Sequence, residues 1–169
     1  MKPKPGDYNP YYNGYISLIG DGDIIEVLEE QRKTSKIFLK SFTEKQGNYS
    51  YADGKWTVKE VLGHVIDTEK IMAFRALAIA RGEKQSLPGF EQDEYVAESN
   101  FNNRSLEDLI NEFLTARESN LILFKSFDEE IFNRRGIASE SEVTVLALIY
   151  IIAGHEKHHM KILSEKYGL

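Results

Sequence analysis

The four histidines of the chain lie in two places, and their spacing indicates a site that binds a metal ion. His64 lies in one long apolar segment, and His155, His158 and His159 lie together near the C-terminus. In a helix, residues four apart share a face, so His155 and His159 can both bind the same ion. Imidazole is a suitable ligand for zinc, nickel, copper and iron, so the spacing does not choose among these metals.

The helical phase of the C-terminal histidines predicts that two of them point into the core. At about 100° per residue, His155 and His159 share a face with apolar residues, namely Leu148, Ile151, Ile152 and Ile162. Two buried imidazoles without partners would leave polar nitrogens unsatisfied, and a shared metal ion resolves this. His64 lies beside an apolar stripe of another segment and is the expected third ligand, because bundles build metal sites from inward residues on facing helices. His158 lies about 60° away from this face and is expected at its flank.

Two other interpretations of the same histidines remain open. In one, they are core residues whose nitrogens form hydrogen bonds with the backbone or with carboxylates, and no metal is bound. In the other, the stretch from His155 to His159 matches the H-E-x-x-H pattern of zinc peptidases, in which Glu156 would be the general base. Glu156 lies about 100° from His155 around the helix, which disfavours the peptidase interpretation.

Three neutral nitrogen ligands leave coordination positions open, which is typical of catalytic sites, whereas structural zinc sites usually have four protein ligands. A divalent ion there could activate water or a thiol, or polarise a carbonyl. The nearest acids are Glu60, one turn before His64, and Asp67, one turn after it. Glu60 could orient the His64 ring or close a capping box with Thr57. The sequence assigns no catalytic role to these acids or to His158.

Four long segments with apolar residues at helical spacing must position the histidines. They run from about Asp23 to Lys45, Val58 to Arg81, Leu106 to Phe127 and Val143 to Lys166. Thr57 and Glu60 form the pattern of a capping box before the second segment, and Ser105 and Ser141 precede the third and fourth. We find no alternating run of residues that predicts a strand. The sequence therefore predicts an all-α protein, a four-helix bundle.

The connection between the second and third segments, Gly82 to Arg104, is longer than compact domains usually contain, and such loops are often functional. It is expected either to cross the bundle, so that the second and third helices run parallel, or to close over a site as a lid. Residues 1–20 are rich in aromatic and turn residues and are expected to pack along the bundle as an extended arm. Residues 1–169 are expected to form a single domain.

The composition excludes several classes of protein and of site. The chain of 169 residues has a net charge of -6, which argues against a nucleic-acid binder because phosphate contacts need clustered basic side chains. It has no cysteine, which excludes disulfides, thiolate zinc sites and cysteine nucleophiles. Its longest apolar run, 143–153, is far shorter than the roughly 20 residues of a membrane-spanning helix. The first residues lack the pattern of a signal peptide, so we expect a cytoplasmic protein that binds neither nucleic acid nor membrane.

Two stretches of the chain resemble the DinB-like family, whose helical bundle carries a three-histidine metal site. They are Lys55-Trp56-Thr57-Val58-Lys59-Glu60-Val61-Leu62-Gly63-His64 and Ala153-Gly154-His155-Glu156-Lys157-His158-His159. The resemblance covers the second to fourth segments and the linking stretch Leu87-Pro88-Gly89-Phe90. It implies that His64, His155 and His159 are the metal ligands and that the metal is zinc or nickel. It also implies an up-down-down-up bundle, which the long connection fits, and a homodimer.

The sequence therefore predicts a metal-dependent enzyme that acts on a small molecule. Some relatives in the family are transferases or isomerases that use a low-molecular-weight thiol, so the resemblance adds thiol-dependent transfer to hydrolysis as a reaction. One alternative is a non-catalytic metal-binding or stress-response module, and another is a structural bundle without a metal. The residues alone do not distinguish thiol transfer from hydrolysis.

Overall fold

The computed structural model describes residues 1–168, which are mostly helical. The bundle consists of the long helices α2 (Ile24–Leu39), α4 (Val58–Ala80), α6 (Leu106–Lys125) and α8 (Val145–Lys166). The short helices are α1 (Asn13–Ile16), α3 (Glu44–Gly47), α5 (Gln92–Glu98) and α7 (Glu129–Phe132). There are also two 3₁₀ turns, Pro10–Tyr12 and Phe101–Asn103, and two strands, β1 (Arg135–Ala138) and β2 (Ser141–Thr144). Within residues 1–168, no helix combines the length and the apolar composition needed to span a membrane.

The second and third long helices, α4 and α6, run parallel. Near the start of α4, Glu60 accepts a hydrogen bond of 2.9 Å from the amide of Asn102, which lies just before α6. Further along both helices, Glu69 of α4 accepts a hydrogen bond of 3.1 Å from the side-chain amide of Asn120 in α6. The chain between the two helices therefore returns along the bundle, which confirms the crossover predicted for the long connection.

The first and fourth long helices run opposite to this parallel pair. Lys40, directly after α2, forms an ion pair of 3.1 Å with Glu107 at the start of α6. At the other end, Glu29 of α2 pairs with Lys125, the last residue of α6. The end of α8 lies against the start of α4, where the hydroxyl of Tyr167 donates a hydrogen bond to a backbone carbonyl. The predicted up-down-down-up topology is therefore confirmed.

Local capping signals decide where the long helices begin and end. Thr57 and Glu60 form the predicted capping box of α4, and Ser105 caps α6 through its hydroxyl. The first segment is shorter than predicted, because Thr43 and Gln46 form a second capping box that starts the separate helix α3. The signal for this break was present in the sequence as the pattern T-x-x-Q.

The prediction that the chain contains no strand is wrong for residues 135–144. β1 and β2 are antiparallel with Ala138 opposite Ser141, which leaves Ser139 and Glu140 as a two-residue turn. Both turn residues have positive φ angles, of 50° and 61°. Tight hairpin turns of this kind are typical of Asn-Gly and Asp-Gly, so a Ser-Glu pair does not signal one. Because β2 occupies the residues before α8, the cap of α8 is Thr144 rather than Ser141.

The arm before α2 packs on α8, but it is not extended throughout as predicted. Pro10–Tyr12 form a 3₁₀ turn, which Asn9 caps through its side chain, and α1 follows directly. Tyr15 in α1 lies over His155 of α8, with the ring centroids 5.3 Å apart. The helical turns therefore bring the aromatic residues of the arm next to the histidines.

The bundle core consists of two apolar halves with a polar layer between them. One half contains the starts of α2 and α8 and the ends of α4 and α6, and the other contains their opposite ends. The buried polar side chains of the layer are Ser35, His64, Thr68, Glu69, Arg117, His155, Glu156 and His159. Buried polar groups are unfavourable unless they find partners, so a core layer of this composition indicates a specific role.

Candidate metal centre

Three histidines converge in the polar layer, one from α4 and two from α8. The Nε2 atoms of His64 and His155 are 2.9 Å apart, and those of His155 and His159 are 3.1 Å apart. All three side chains are buried. Among the described residues, these three form the one group of histidines or acids that could hold a metal ion. The structure thus brings together the three residues that the sequence singles out as ligands.

The distances between these nitrogens fit a shared metal ion. Two nitrogens about 2.05 Å from a zinc ion lie about 2.9 Å apart at a right angle and about 3.3 Å apart at a tetrahedral angle. The two observed distances fall within that range. Hydrogen bonds satisfy the group less well, because a neutral imidazole has a single N–H and three Nε2 atoms face one another. The Nδ1 atom of His159 is also buried, and none of the described residues offers it a hydrogen bond.

All three imidazoles are neutral at physiological pH. Burial lowers the pKa of His64 to about 4, against a smaller opposing effect of the Asp93 carboxylate. Burial lowers the pKa of His159 to about 3, and the neighbouring histidines add to the effect. Burial also holds the pKa of His155 well below its ordinary value. Metal ions bind the neutral form of imidazole, so the three side chains are in their ligating state.

Two glycines let other parts of the chain approach the histidines closely. A Cβ atom at Gly63, the residue before His64, would lie 2.4 Å from the ring of Phe101. A Cβ atom at Gly154, the residue before His155 in α8, would lie 2.2 Å from the backbone oxygen of Tyr15. Contacts this short exclude a side chain unless the neighbour moves. The two glycines therefore admit the arm and the 3₁₀ turn before α6 to the edge of the site.

The structure also locates three nearby residues to which the sequence assigns no catalytic role. His158 lies at the flank of the site, partly exposed. Glu60 closes the capping box of α4, so its carboxylate does not orient His64. Asp67 is half-buried beside Glu112 of α6, and burial raises the pKa of its carboxyl group.

An ion-pair network that the sequence analysis missed fills the other side of the polar layer. Arg117 is fully buried and donates two hydrogen bonds of 2.8 Å to the carboxylate of Glu69. It also lies 2.6 Å from the carboxylate of Glu156, which accepts a hydrogen bond of 2.5 Å from Ser35. A signal was present in the sequence, because Arg117 falls four residues after Phe113, within the apolar stripe of the third segment.

The position of Glu156 contradicts the zinc-peptidase interpretation. Its carboxylate is bound to Arg117 and Ser35, on the side of α8 that faces α2 and α6. Burial raises the pKa of this carboxyl group, against the opposing effect of Arg117. The general base of an H-E-x-x-H site must lie beside the metal ligands, whereas Glu156 is engaged in the ion-pair network.

A cavity of about 370 Å³ lies beside His155. Its walls include the three tyrosines of the arm, residues 89–93 of the long connection, Ser139 of the hairpin turn and Thr68 of α4. The Thr68 hydroxyl is buried and has no hydrogen-bond partner within residues 1–168. The long connection therefore crosses the bundle as predicted and also lines this cavity, while its role as a lid stays a prediction.

Arg75 of α4 supports this wall from behind. The residue is 2% exposed and donates hydrogen bonds of 2.6 Å to the carbonyl of Pro88 and 3.0 Å to the hydroxyl of Ser139. Its guanidinium group also lies 5.8 Å from the centroid of the Phe90 ring. Arg75 thus links the connection and the hairpin turn to the bundle.

Comparison with known sequences gives a family match over most of the chain and a similar named protein. The model of the DinB superfamily matches residues 27–163. A protein of Oceanobacillus iheyensis named "Putative metal-dependent hydrolase" is 21% identical over 123 residues, which cover 72% of this chain and 70% of that protein.

Solved structures share the fold at low sequence identity. YfiT from Bacillus subtilis, described as a "probable metal-dependent hydrolase with an unusual four-helix bundle topology", superposes with a TM-score of 0.76 at 17% identity, covering 98% of this chain and 90% of YfiT. The mycothiol-dependent maleylpyruvate isomerase superposes with a TM-score of 0.70 at 11% identity, covering 86% of this chain and 61% of the isomerase. These similarities establish the shared four-helix bundle.

Proposed function

The chain belongs to the DinB superfamily, and from this we propose that it is a metal-dependent hydrolase of a small molecule. In this proposal His64, His155 and His159 hold one divalent transition-metal ion, zinc or nickel. The observation that carries the proposal is the convergence of three buried, neutral imidazoles, with ligand atoms within 4.8 Å of one another. One of the three, His155, lines a cavity. The two similar proteins described as metal-dependent hydrolases support it.

The donor set indicates what a bound metal would supply. A divalent ion with three protein ligands keeps positions for water or substrate, lowers the pKa of bound water and polarises a carbonyl. The other residues of the chain position and enclose the site. Tyr15 and Phe101 pack against the histidine-bearing helices, while Arg75 holds the cavity wall through Pro88 and Ser139.

A second candidate reaction is transfer that depends on a low-molecular-weight thiol. The observation that favours it is the structural similarity to the mycothiol-dependent isomerase over 86% of this chain. Zinc binds thiolates well, so the same site could take a thiol in an open position. A module that only stores metal needs no adjoining cavity, and the cavity beside His155 is of the size that small ligands occupy.

Metal content tests the site itself. The protein is purified without a histidine tag, and its metals are measured by plasma mass spectrometry beside those of His64→Ala and His155→Ala. His158→Ala is the matched control, because His158 lies at the flank of the same helix. About one equivalent of a transition metal in the parent and the control, lost in the two ligand variants, is the expected result. No metal in the parent, before and after incubation with zinc or nickel, would refute the proposal.

Activity measurements distinguish the two reactions. Metal-loaded and chelator-treated protein are assayed on small esters and amides, and then on small electrophiles in the presence of cysteine or another low-molecular-weight thiol. Metal-dependent hydrolysis without a thiol is expected for the hydrolase. Turnover only with a thiol would instead support the transferase, and bound metal without any turnover would support the non-catalytic module.

A further inference from the structure

We propose that the cavity beside the three histidines recognises an ammonium group on its ligand. The ammonium group would lie between the tyrosines of the arm and the acidic residues at the start of α5. That this ligand is the substrate of the metal site rests on the proposed function, whereas the binding preference stands on the cavity itself.

The first support is the aromatic wall of the cavity. Tyr11 and Tyr12 lie edge to face, with ring centroids 5.1 Å apart and an interplanar angle of 84°. Tyr15 adds a third tyrosine ring to the lining, whereas the ring of Phe90 already has the guanidinium group of Arg75 over it. Aromatic faces attract cations through the ring quadrupole, and sets of converging rings are a common way to bind ammonium groups.

The second support is the charge of the lining. Glu91 and Asp93 line the cavity, and no lysine or arginine does so among the described residues. Arg75 is 2% exposed and lies behind the wall, with its guanidinium group bonded to Pro88 and Ser139 and close to the hydroxyl of Tyr12. The exposed charges of the lining are therefore both carboxylates, whereas the charge of Arg75 is buried and already bonded to the wall, which favours a cation over an anion.

The third support is an unpartnered polar group in the same cavity. The tyrosines are not separated from the histidines, since Tyr15 packs against His155. The lining also includes the hydroxyl of Thr68, which is buried without a hydrogen-bond partner within residues 1–168. A buried hydroxyl without a partner is unfavourable, so a polar group of the ligand is expected beside Thr68. The ligand is therefore expected to be a small molecule that carries a hydrogen-bonding group close to its ammonium group.

A matched pair of ligands tests the charge preference directly. Choline and 3,3-dimethylbutan-1-ol have the same shape and the same hydroxyl, but only choline is charged. Their binding to metal-loaded and metal-free protein is measured by NMR titration. Choline is expected to bind at least about fivefold more tightly, the equivalent of about 1 kcal/mol, which is within the range of cation–π interactions. Equal binding of the two would overturn the proposal.

Three variants locate the binding. Asp93→Asn and Tyr11→Leu are expected to weaken choline binding several-fold and to leave the binding of the neutral alcohol unchanged. Glu94→Gln removes a neighbouring exposed carboxylate outside the cavity lining and is the matched control. If Glu94→Gln weakens choline as much as Asp93→Asn does, the effect comes from the general negative field and the proposed site is wrong.

The two proposals fail in different ways. Selective choline binding by a protein that takes up neither zinc nor nickel would retain the ammonium site and refute the metalloenzyme. Bound metal and hydrolysis together with equal affinity for the two ligands would retain the enzyme and refute the ammonium site.

Discussion

Replacing Arg117 by methionine is expected to destabilise the protein strongly. The methionine fills a similar volume, but it leaves the carboxylates of Glu69 and Glu156 buried, at 2% and 1% exposed, without their cationic partner. Their remaining side-chain donors are Asn120 for Glu69 and Ser35 for Glu156. Removing one partner of a buried ion pair costs about 3–5 kcal/mol, because the charge that remains is uncompensated. For a chain of this size, that loss corresponds to a decrease in Tm of roughly 6–20 °C.

The free energy of unfolding is measured by urea denaturation, with far-UV circular dichroism as the signal. Arg32→Met is the matched control, since Arg32 pairs with Glu118 at the surface, where the two side chains are 35% and 62% exposed. Surface pairs of this kind contribute about 0–1 kcal/mol. A loss for Arg117→Met no larger than for Arg32→Met would refute the argument.

A second variant separates the effect of charge from the effect of packing. If the loss arises from uncompensated carboxylates, then adding Glu69→Gln to Arg117→Met removes one of them and restores part of the stability. The two substitutions are then strongly non-additive, as expected for residues in one network. If packing alone is responsible, the two losses add.

Three further predictions concern the arm, the end of α8 and the metal. Gly154→Ala places a methyl group 2.2 Å from the backbone oxygen of Tyr15, so we expect a loss of about 1–3 kcal/mol in the free energy of unfolding. Gly14→Ala is the control and should lose less, because a Cβ atom at Gly14 meets nothing within 4 Å. Burial raises the pKa of Tyr167 to about 12 from 10.0, so the stability from its protonated hydroxyl is present below about pH 10 and lost as the pH rises towards 12. Urea titrations should therefore show a smaller decline for Tyr167→Phe than for the parent between these pH values, and parallel declines would contradict the pKa shift. Zinc at 100 times its Kd should stabilise the folded protein by about 2.7 kcal/mol and so raise its Tm, and a chelator should reverse this increase. A Tm that does not respond to zinc would contradict the metal site.

Features that depend on neighbouring residues in the chain could be predicted without a structure. The helical phase of His155 and His159, the capping box before α4 and the Ser105 cap of α6 are properties of a few consecutive turns, so they do not depend on the rest of the chain. His64 could be predicted as the third metal ligand because an inward histidine on a second helix has few other partners in a bundle core. For the same reason the predicted helices were confirmed, apart from the early end of α2.

Which residues meet across the bundle could not be predicted from the sequence. Arg117 finds its partners Glu69 and Glu156 on two other helices, and nothing near it in the sequence specifies that choice. The hairpin at Ser139 and Glu140 was missed for a related reason, because its positive φ angles are supported by surrounding contacts rather than by residues that prefer them. The cavity likewise exists only where the arm, the long connection and α8 pack together. Each of these features depends on contacts between residues far apart in the chain, and the free energy of such contacts is realised only when the helices pack.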